Sequence, residues 1–428
     1  MRTRRRSAAL GFMVVALALA MLTVAGRTPR GVGRPIDDPT QVTLDQRSFT
    51  CSGGIKGTTT FSGSVGGGLG RHGSVGTVPV TITAPQQVAG GAFAAQQVRR
   101  TGTFAWLPCP EPRARWWFVG AGGASVTHDT VLTLTNPRSG AAVVDVDVFG
   151  PQGQVESAGL HGITIQPGAS HEIDLADQAP AVGNLAVSVR AKRGLVAASA
   201  VDRFNLGTVG SRAEEWLPPQ SLPGTGVTLG GLPAKPGPIS LVVVNPGKVD
   251  AVVQVKVIGA SGTFLPTGVA PISVGPQSVR TVTIRSVLDG SPMAMRITSP
   301  QHVTATVRSV QKSDTAFATG VRLLVGETAF AVPEGSGRLV LSSLRVAGKV
   351  RVVGYDARGG QVLDRAVAVP AESSVAVPFD TGVRYLRLVA EESAVVAGFA
   401  VADAHGIATG GVVPALRSIK LPQVRPGW

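Results

Sequence analysis

Catalytic signatures are missing from this sequence. It has no GxSxG elbow, no HExxH pair, no Walker loop, and no dinucleotide glycine motif placed between a strand and a helix. No amphipathic stretch of helical length separates its apolar runs, which argues against a parallel α/β fold. Beyond Arg34 there is no dense Lys/Arg run, so nothing marks a nucleic-acid surface. The only two cysteines, Cys51 and Cys109, lack the CxxC spacing and nearby His of a redox or metal site. Six His residues are scattered. His128-Asp129 beside Ser125 holds the parts of a hydrolytic set, but three adjacent polar residues ahead of a strand read as a loop. His171-Glu172 has no second His at i+4 and reads as strand surface. These absences predict a protein without cofactor or metal and without enzymatic activity.

What is present is a β-repeat. Val131-Leu-Thr-Leu-Thr-Asn136-Pro137 runs into Val143-Val-Asp-Val-Asp-Val-Phe149-Gly150, a strand, an Asn-Pro turn and a second strand alternating at period two. The pattern returns 109 positions later as Leu241-Val-Val-Val-Asn245-Pro246 and Val252-Val-Gln-Val-Lys-Val-Ile258-Gly259. Gly is abundant (55 residues), as is Pro (30), while aromatics are only 5%; with Val- and Thr-rich runs this suits many short strands joined by turns. At 428 residues and a repeat near 110, several domains are expected rather than one core.

The predicted fold is all-β: tandem immunoglobulin-like β-sandwich repeats after one N-terminal transmembrane or signal helix. The units are a divergent disulfide-containing one at 41–110, repeats at 111–219 and 220–328, and a shorter repeat at 329–420, followed by a tail at 421–428. Both early units end in Trp-Leu-Pro, at Trp106 and Trp216. The fourth lacks the Asn-Pro turn, so its hairpin must be built differently. In each hairpin one face enters the core, as Val144, Val146 and Val148 or Val253, Val255 and Val257. The alternate face, Asp145 and Asp147 or Gln254 and Lys256, meets water, and Gln and Lys in the third unit argue against calcium. Proline-rich connections at 107–112, 217–223 and 332–337 predict a semi-rigid rod, with close packing of units as the alternative.

Location follows from the N-terminus. Net charge is +14, and the first 34 residues hold seven Arg and no acid, which leaves 14 − 7 = 7 for the rest. Residues 1–27 pair an Arg-rich tip with an uncharged run of 20 residues; at about 1.5 Å each it spans the hydrocarbon layer. This predicts an extracytoplasmic protein held by a single-pass anchor, N-terminus in and C-terminus out, or secreted after cleavage near residues 23–25. Residues 28–40 read as a linker. In an exported chain Cys51 and Cys109 pair as a disulfide.

The Trp-rich boundary is the one candidate binding feature. Trp116 and Trp117 follow Arg113 and Arg115, and exposed rings beside guanidinium groups stack on sugars and hold acidic polymers. The blander alternative packs one Trp in the core and the other on the preceding unit.

The Arg-rich anchor, the Trp106-Leu-Pro-Cys109-Pro ending, the Trp116-Trp117-Phe-Val-Gly120-Ala-Gly opening and the Leu-Thr-Asn136-Pro turn together resemble an actinobacterial family of extracytoplasmic proteins of unknown function. The Ala/Gly/Val/Arg bias is similar to that of high-GC bacteria. The resemblance implies no activity and transfers no functional residues. The expected role is a non-catalytic repeat protein of the cell envelope. Its partners are the membrane, through the N-terminal helix, and an envelope protein; the alternative is a polysaccharide-binding module using Trp116, Trp117 and the neighbouring Arg.

Overall fold

Short runs of β-branched residues alternating with polar ones become strands almost throughout. The computed structural model describes residues 40–421 apart from 44–46, 75–78, 85–90, 125–126, 181, 206–211, 235–238, 286–289, 312–313, 392–394 and 415–417. The expected N-terminal helix, nearly all of the linker and residues 422–428 lie outside the described residues. The chain divides into two units. The described part of the first is a two-stranded antiparallel ladder, Thr40–Thr43 with Ser418–Leu421. Residues 44–417 form the second.

Within that second unit the strands sort into sandwich-like antiparallel sheets with one recurring order. For residues 115–217 one sheet runs Gly153–Val155, Ala142–Gly150, Leu185–Arg193, Arg115–Ala121. Its mate runs Ser170–Asp174, His128–Thr135, Ala197–Asn205, Arg212–Leu217. Farther along, Gln361–Val369, Gly348–Tyr355, Tyr385–Glu391, Gly326–Ala331 face Ser374–Phe379, Gly337–Ser343, Val395–Ala402, Ile407–Gly411 in the same order. Between them, the long strand Ala294–Gln311 serves both sheets: it pairs with Gly224–Gly230 and Ala251–Gly259 early, then with Ile239–Asn245 and Asp314–Phe317. The earliest pair is smaller, with Arg47–Cys51 beside Val80–Ala84 over Gly70–Ser74, Thr59–Ser64, Ala92–Arg100, Thr103–Pro108.

The valines expected inside are inside: Val144, Val146 and Val148 are at most 1% exposed, and Val253, Val255 and Val257 at most 4%. The expected hairpins are not hairpins. His128–Thr135 and Ala142–Gly150 flank Asn136-Pro137 yet belong to opposite sheets, and so do Leu185–Arg193 and Ala197–Asn205 across residue 194. A turn signal fixes where the chain bends, whereas burial of both inward faces decides which strand pairs with which. Gly194, at φ 74°, makes the second bend, and a Cβ there would come within 3.2 Å of Ala142.

Asp145 also departs from expectation. It is only 2% exposed, and Lys192 reaches it at 2.7 Å while the Gly162 N–H donates at 2.9 Å. The long Lys stem and the neighbouring loop cover a carboxylate that strand parity alone points at water.

The sheet pairs do not form a rod. Ile55, Val98, Ala105 and Leu107 of the first pack on Val201 and Trp216 of the second. Trp117, Val119, Phe149 and Ala186 of the second pack on Val242, Val244 and Val279 of the third. Between third and fourth the main chains nearly touch, since a Cβ on Gly398 would fall 2.1 Å from the nitrogen of Gly231. Phe61, Phe93, Phe104 and Trp106 of the first join one core with Tyr355, Tyr385 and Phe399 of the fourth. The four pairs therefore close on themselves. Proline fixes φ inside each connection, but burial of aromatic area at the module ends sets their direction, at about 25 cal/mol per Å².

Candidate functional site

The two rings of the Trp-Arg boundary are buried, while Arg113 and Arg115 are exposed. Trp116 is 1% exposed, sits in the core of the second pair and donates its indole N–H to the Val196 carbonyl at 3.0 Å. The Arg113 guanidinium lies 4.1 Å from the centroid of that ring. Although Arg113 keeps an exposed face, crowding of its guanidinium by the protein, aided by the charge of Arg322 and opposed by Glu111, pulls its pKa below the ordinary value. Trp117 points to the other side of the strand, where it stacks on Phe149 at 5.5 Å beneath the third pair and is 8% exposed. Arg115 is exposed, opposite Arg190. Alternation on one strand sends consecutive Trp rings to opposite faces, so the four residues share no platform.

His128 and Asp129 are likewise separated from each other. His128 is 3% exposed; its Nε2 meets Asp202 Oδ1 at 2.9 Å and its Nδ1 faces the Gly183 carbonyl. The Thr130 hydroxyl donates to the same Asp202 oxygen at 2.6 Å. A hydrolytic set needs the hydroxyl on the imidazole, and here both rest on the carboxylate. Asp129 pairs instead with Arg203 and Arg212, and Ser125 lies outside the described residues.

The densest polar arrangement lies where the sheet pairs converge. One late strand from each, Thr103–Pro108, Arg212–Leu217, Asp314–Phe317 and Ile407–Gly411, packs at this junction. Asp314, 0% exposed, accepts through Oδ2 the Phe104 N–H at 3.1 Å and the Ile407 N–H at 2.9 Å. Glu215, 4% exposed, accepts the Trp106 N–H at 3.2 Å and the Trp216 N–H at 2.7 Å. Burial pushes the Asp314 carboxyl up to about 7 against the pull of its N–H donors. Burial first and the nearby Asp314 second push Glu215 well above the ordinary carboxylate range. The buried cation of the region is Arg308, whose guanidinium lies 4.0 Å from the Phe204 ring centroid and 3.4 Å from either His128 nitrogen. A Cβ on Gly406 would stand 1.9 Å from Asp314 Oδ2, so only glycine lets that turn approach.

Burial favours the protonated form of both carboxyls, and each accepts a main-chain N–H from another sheet pair, Asp314 from Phe104 and Ile407 and Glu215 from Trp106. The arrangement joins modules. A recess between third and fourth pairs, lined by Gly230, Gly231, Met293, Ser342, Ala397 and Gly398, has no room for even a water molecule, against the roughly 300 Å³ of small-molecule pockets. Among the described residues no three His, Cys, Asp or Glu gather as metal ligands, and no helix is long and apolar enough to cross a membrane. The sequence reading missed Glu215, Asp314, Asp202 and Arg308. One signal for Glu215 was an acid directly before the boundary Trp216; Asp314 in Asp-Thr-Ala-Phe had none.

Fold and junction thus define an all-β protein of sandwich-like antiparallel sheets with a single disulfide, Cys51–Cys109. The model of a family of unknown function, DUF5719, matches residues 72–380, and the chain belongs to that family. No curated protein matches it. Among solved structures, the trypsin-activated alpha-2-macroglobulin of Escherichia coli is similar at 11% identity and a TM-score of 0.12. That likeness covers 88% of this chain and 30% of that one, and at this score carries no argument.

Proposed function

We propose that this is a non-catalytic protein of the bacterial cell envelope, exported and held by its N-terminal helix with the C-terminus outside, where it makes protein contacts. The Cys51–Cys109 disulfide is the observation that carries the reading. Its Cα atoms are 4.7 Å apart and it links the start and end of the first sheet pair, an arrangement that persists in oxidising compartments. The conspicuous side chains, Trp106, Trp116, Trp117, Trp216, Glu215 and Asp314, are engaged in cores and joints, which suits a scaffold. An actinobacterial source fits the composition and the Trp116-Trp117 and Asn136-Pro motifs. The polysaccharide alternative loses its support, because neither Trp116 nor Trp117 offers a ring face.

A C-terminal alkaline phosphatase fusion should be active, and the protein should stay with membranes through alkaline carbonate washing. An inactive fusion, together with alkylatable Cys51 and Cys109 in intact cells, would overturn the reading.

A further inference from the structure

One sheet of the third pair carries cations that nothing neutralises. Its strands, Gly262–Phe264, Ala251–Gly259, Ala294–Gln311, Gly224–Gly230 and Thr319–Val321, contain no acid. Residues 224–321 hold eight Lys and Arg against three acids, and 8 − 3 = 5 is most of the net +7 carried beyond residue 34. On the outward face Lys256 stands directly opposite Arg296, a like-charge cross-strand pair that weakens a sheet. Equivalent faces elsewhere balance themselves. In the second pair Asp145, 109 positions before Gln254, takes Lys192 at 2.7 Å and Arg190 at 3.7 Å. In the fourth, Arg351 meets Asp364 at 2.6 Å and Arg387 meets Glu327 at 2.9 Å.

The fold sets a third cation beside these two. The third and fourth pairs close on each other at Ile258, Ala294, Ser342 and Ser374, all buried, where the Ser374 hydroxyl donates to the Ile258 carbonyl at 2.6 Å. Two residues back along each strand, on the same face, the cover ends: Lys256 is exposed and Arg296 half-buried. Arg345, exposed in the arch that follows Gly337–Ser343, stands within electrostatic range of Arg296, whose pKa is lowered first by burial and then by that charge. The Arg296 guanidinium is held in place. Its Nη1 donates to the Thr228 hydroxyl at 3.2 Å, and its Nη2 lies against Gly226, where a Cβ would come within 3.0 Å. Among the described residues none of the three cations meets a carboxylate. Glu372 of the fourth pair touches this sheet through its main-chain carbonyl, at Thr263.

We infer that this strip binds the phosphate group of a phosphorylated saccharide, held between Arg296, Lys256 and Arg345. Three cations exceed the single charge of a carboxylate and suit a phosphate monoester, which carries about −1.5 to −2 at pH 7. The two guanidinium forks match its oxygens. Gln254 and Thr298, opposite each other on the next rung of the same face, meet the sugar hydroxyls. Ala251–Gly259, Ala294–Gln311 and Gly224–Gly230 hold no aromatic ring on which bases could stack, which argues against single-stranded nucleic acid. The surface adds a ligand to the protein contacts proposed above, and it lies on a different sheet pair from Trp116 and Trp117.

The test uses the full oxidised chain and three labelled dextrans: plain, carboxymethylated and phosphorylated. Saturable binding of the phosphorylated polymer, read by fluorescence anisotropy, is expected, with the carboxymethylated one at least about tenfold weaker and the plain one unbound. Glucose 6-phosphate should compete, and glucose should not. Arg296→Gln and Arg345→Gln should each weaken binding at least about tenfold. Arg280→Gln removes the same charge from Ser278–Ile284, which pairs with Ile239–Asn245 instead, and should leave binding unchanged. Circular dichroism checks folding; Arg345→Gln, in an exposed arch, decides the matter should Arg296→Gln fail to fold. No saturable binding, equal binding of carboxymethylated and phosphorylated polymers, undiminished binding in folded Arg345→Gln, or an equal loss in Arg280→Gln would overturn the inference. Capture by phosphatidylglycerol vesicles without binding of phosphorylated dextran would overturn it too, making the ligand a membrane surface. Location is read separately by the phosphatase fusion, so failure of this site leaves export standing.

Discussion

Asn136 and Asn245, 109 positions apart, make the same bonds at the same place in successive sandwiches. The Asn136 amide donates to the carbonyls of Gly140 at 2.8 Å and Ile165 at 3.0 Å, while its oxygen accepts the Arg138 N–H at 3.1 Å. Asn245 donates to Val249 at 2.7 Å and Val274 at 3.2 Å and accepts from Gly247 at 3.0 Å. Both are 0% exposed. Each satisfies the main chain of an arch that crosses from one sheet to the other. In the fourth pair Ser343 takes the position, its hydroxyl donating to the Val346 carbonyl across a shorter arch.

Removing that amide leaves buried carbonyls without donors. Asn136→Ala should lower stability by about 2–4 kcal/mol, the range for several lost buried partners. Asn136→Asp should cost more, since a carboxylate cannot donate to those carbonyls. Urea unfolding followed by Trp fluorescence measures both.

The disulfide closes a loop across a sequence separation of 58, inside a small core of Phe49, Ala84, Ala92 and Ala94. Paired Cys51→Ser and Cys109→Ser substitutions should cost about 4 kcal/mol in the chain-entropy description. Limited proteolysis should then cut first between residues 47 and 109, and reduction of the native protein should do the same.

Stability should fall as pH rises between about 4 and about 7. The Asp314 carboxyl stays protonated in the folded chain up to about 7 but ionises near its ordinary 3.8 once unfolded. In that window the folded state therefore binds the extra proton, and raising the pH draws the equilibrium toward the unfolded chain. The loss is on the order of 4 kcal/mol at most and levels off above the window. Asp314→Asn keeps an oxygen for the Phe104 and Ile407 N–H groups and should flatten the slope in thermal melts at several pH values. The raised Glu215 adds to the same slope, so Glu215→Gln should flatten what remains.

Trp117→Ala should destabilise by about 3–5 kcal/mol, because the ring fills the interface between second and third pairs. The expected readout is a lower thermal midpoint, with faster hydrogen exchange in Ile239–Asn245. A purely exposed binding ring would leave both unchanged.

Much of the local architecture was legible before any coordinates. Period-two alternation put Val144, Val146 and Val148 inside, since inward facing is a property of a few consecutive residues. The Trp116-Trp117 pair shows the limit: parity says they diverge, but which neighbour covers Trp117 depends on Val242 and Val244, more than a hundred positions away.

The sequence by itself determined an all-β chain, the recurrence of its strand pattern and the one cysteine pair available to bridge. Only the tertiary structure decided that bends between sheets are arches, that four sheet pairs close on themselves, and that acids lie at their junction. The bond from the Phe104 N–H to Asp314 spans 210 positions, and the pairing of Arg99 with Asp403 spans 304. Hydrophobic period is written in neighbours along the chain, whereas closure is written in contacts between residues that no local pattern connects.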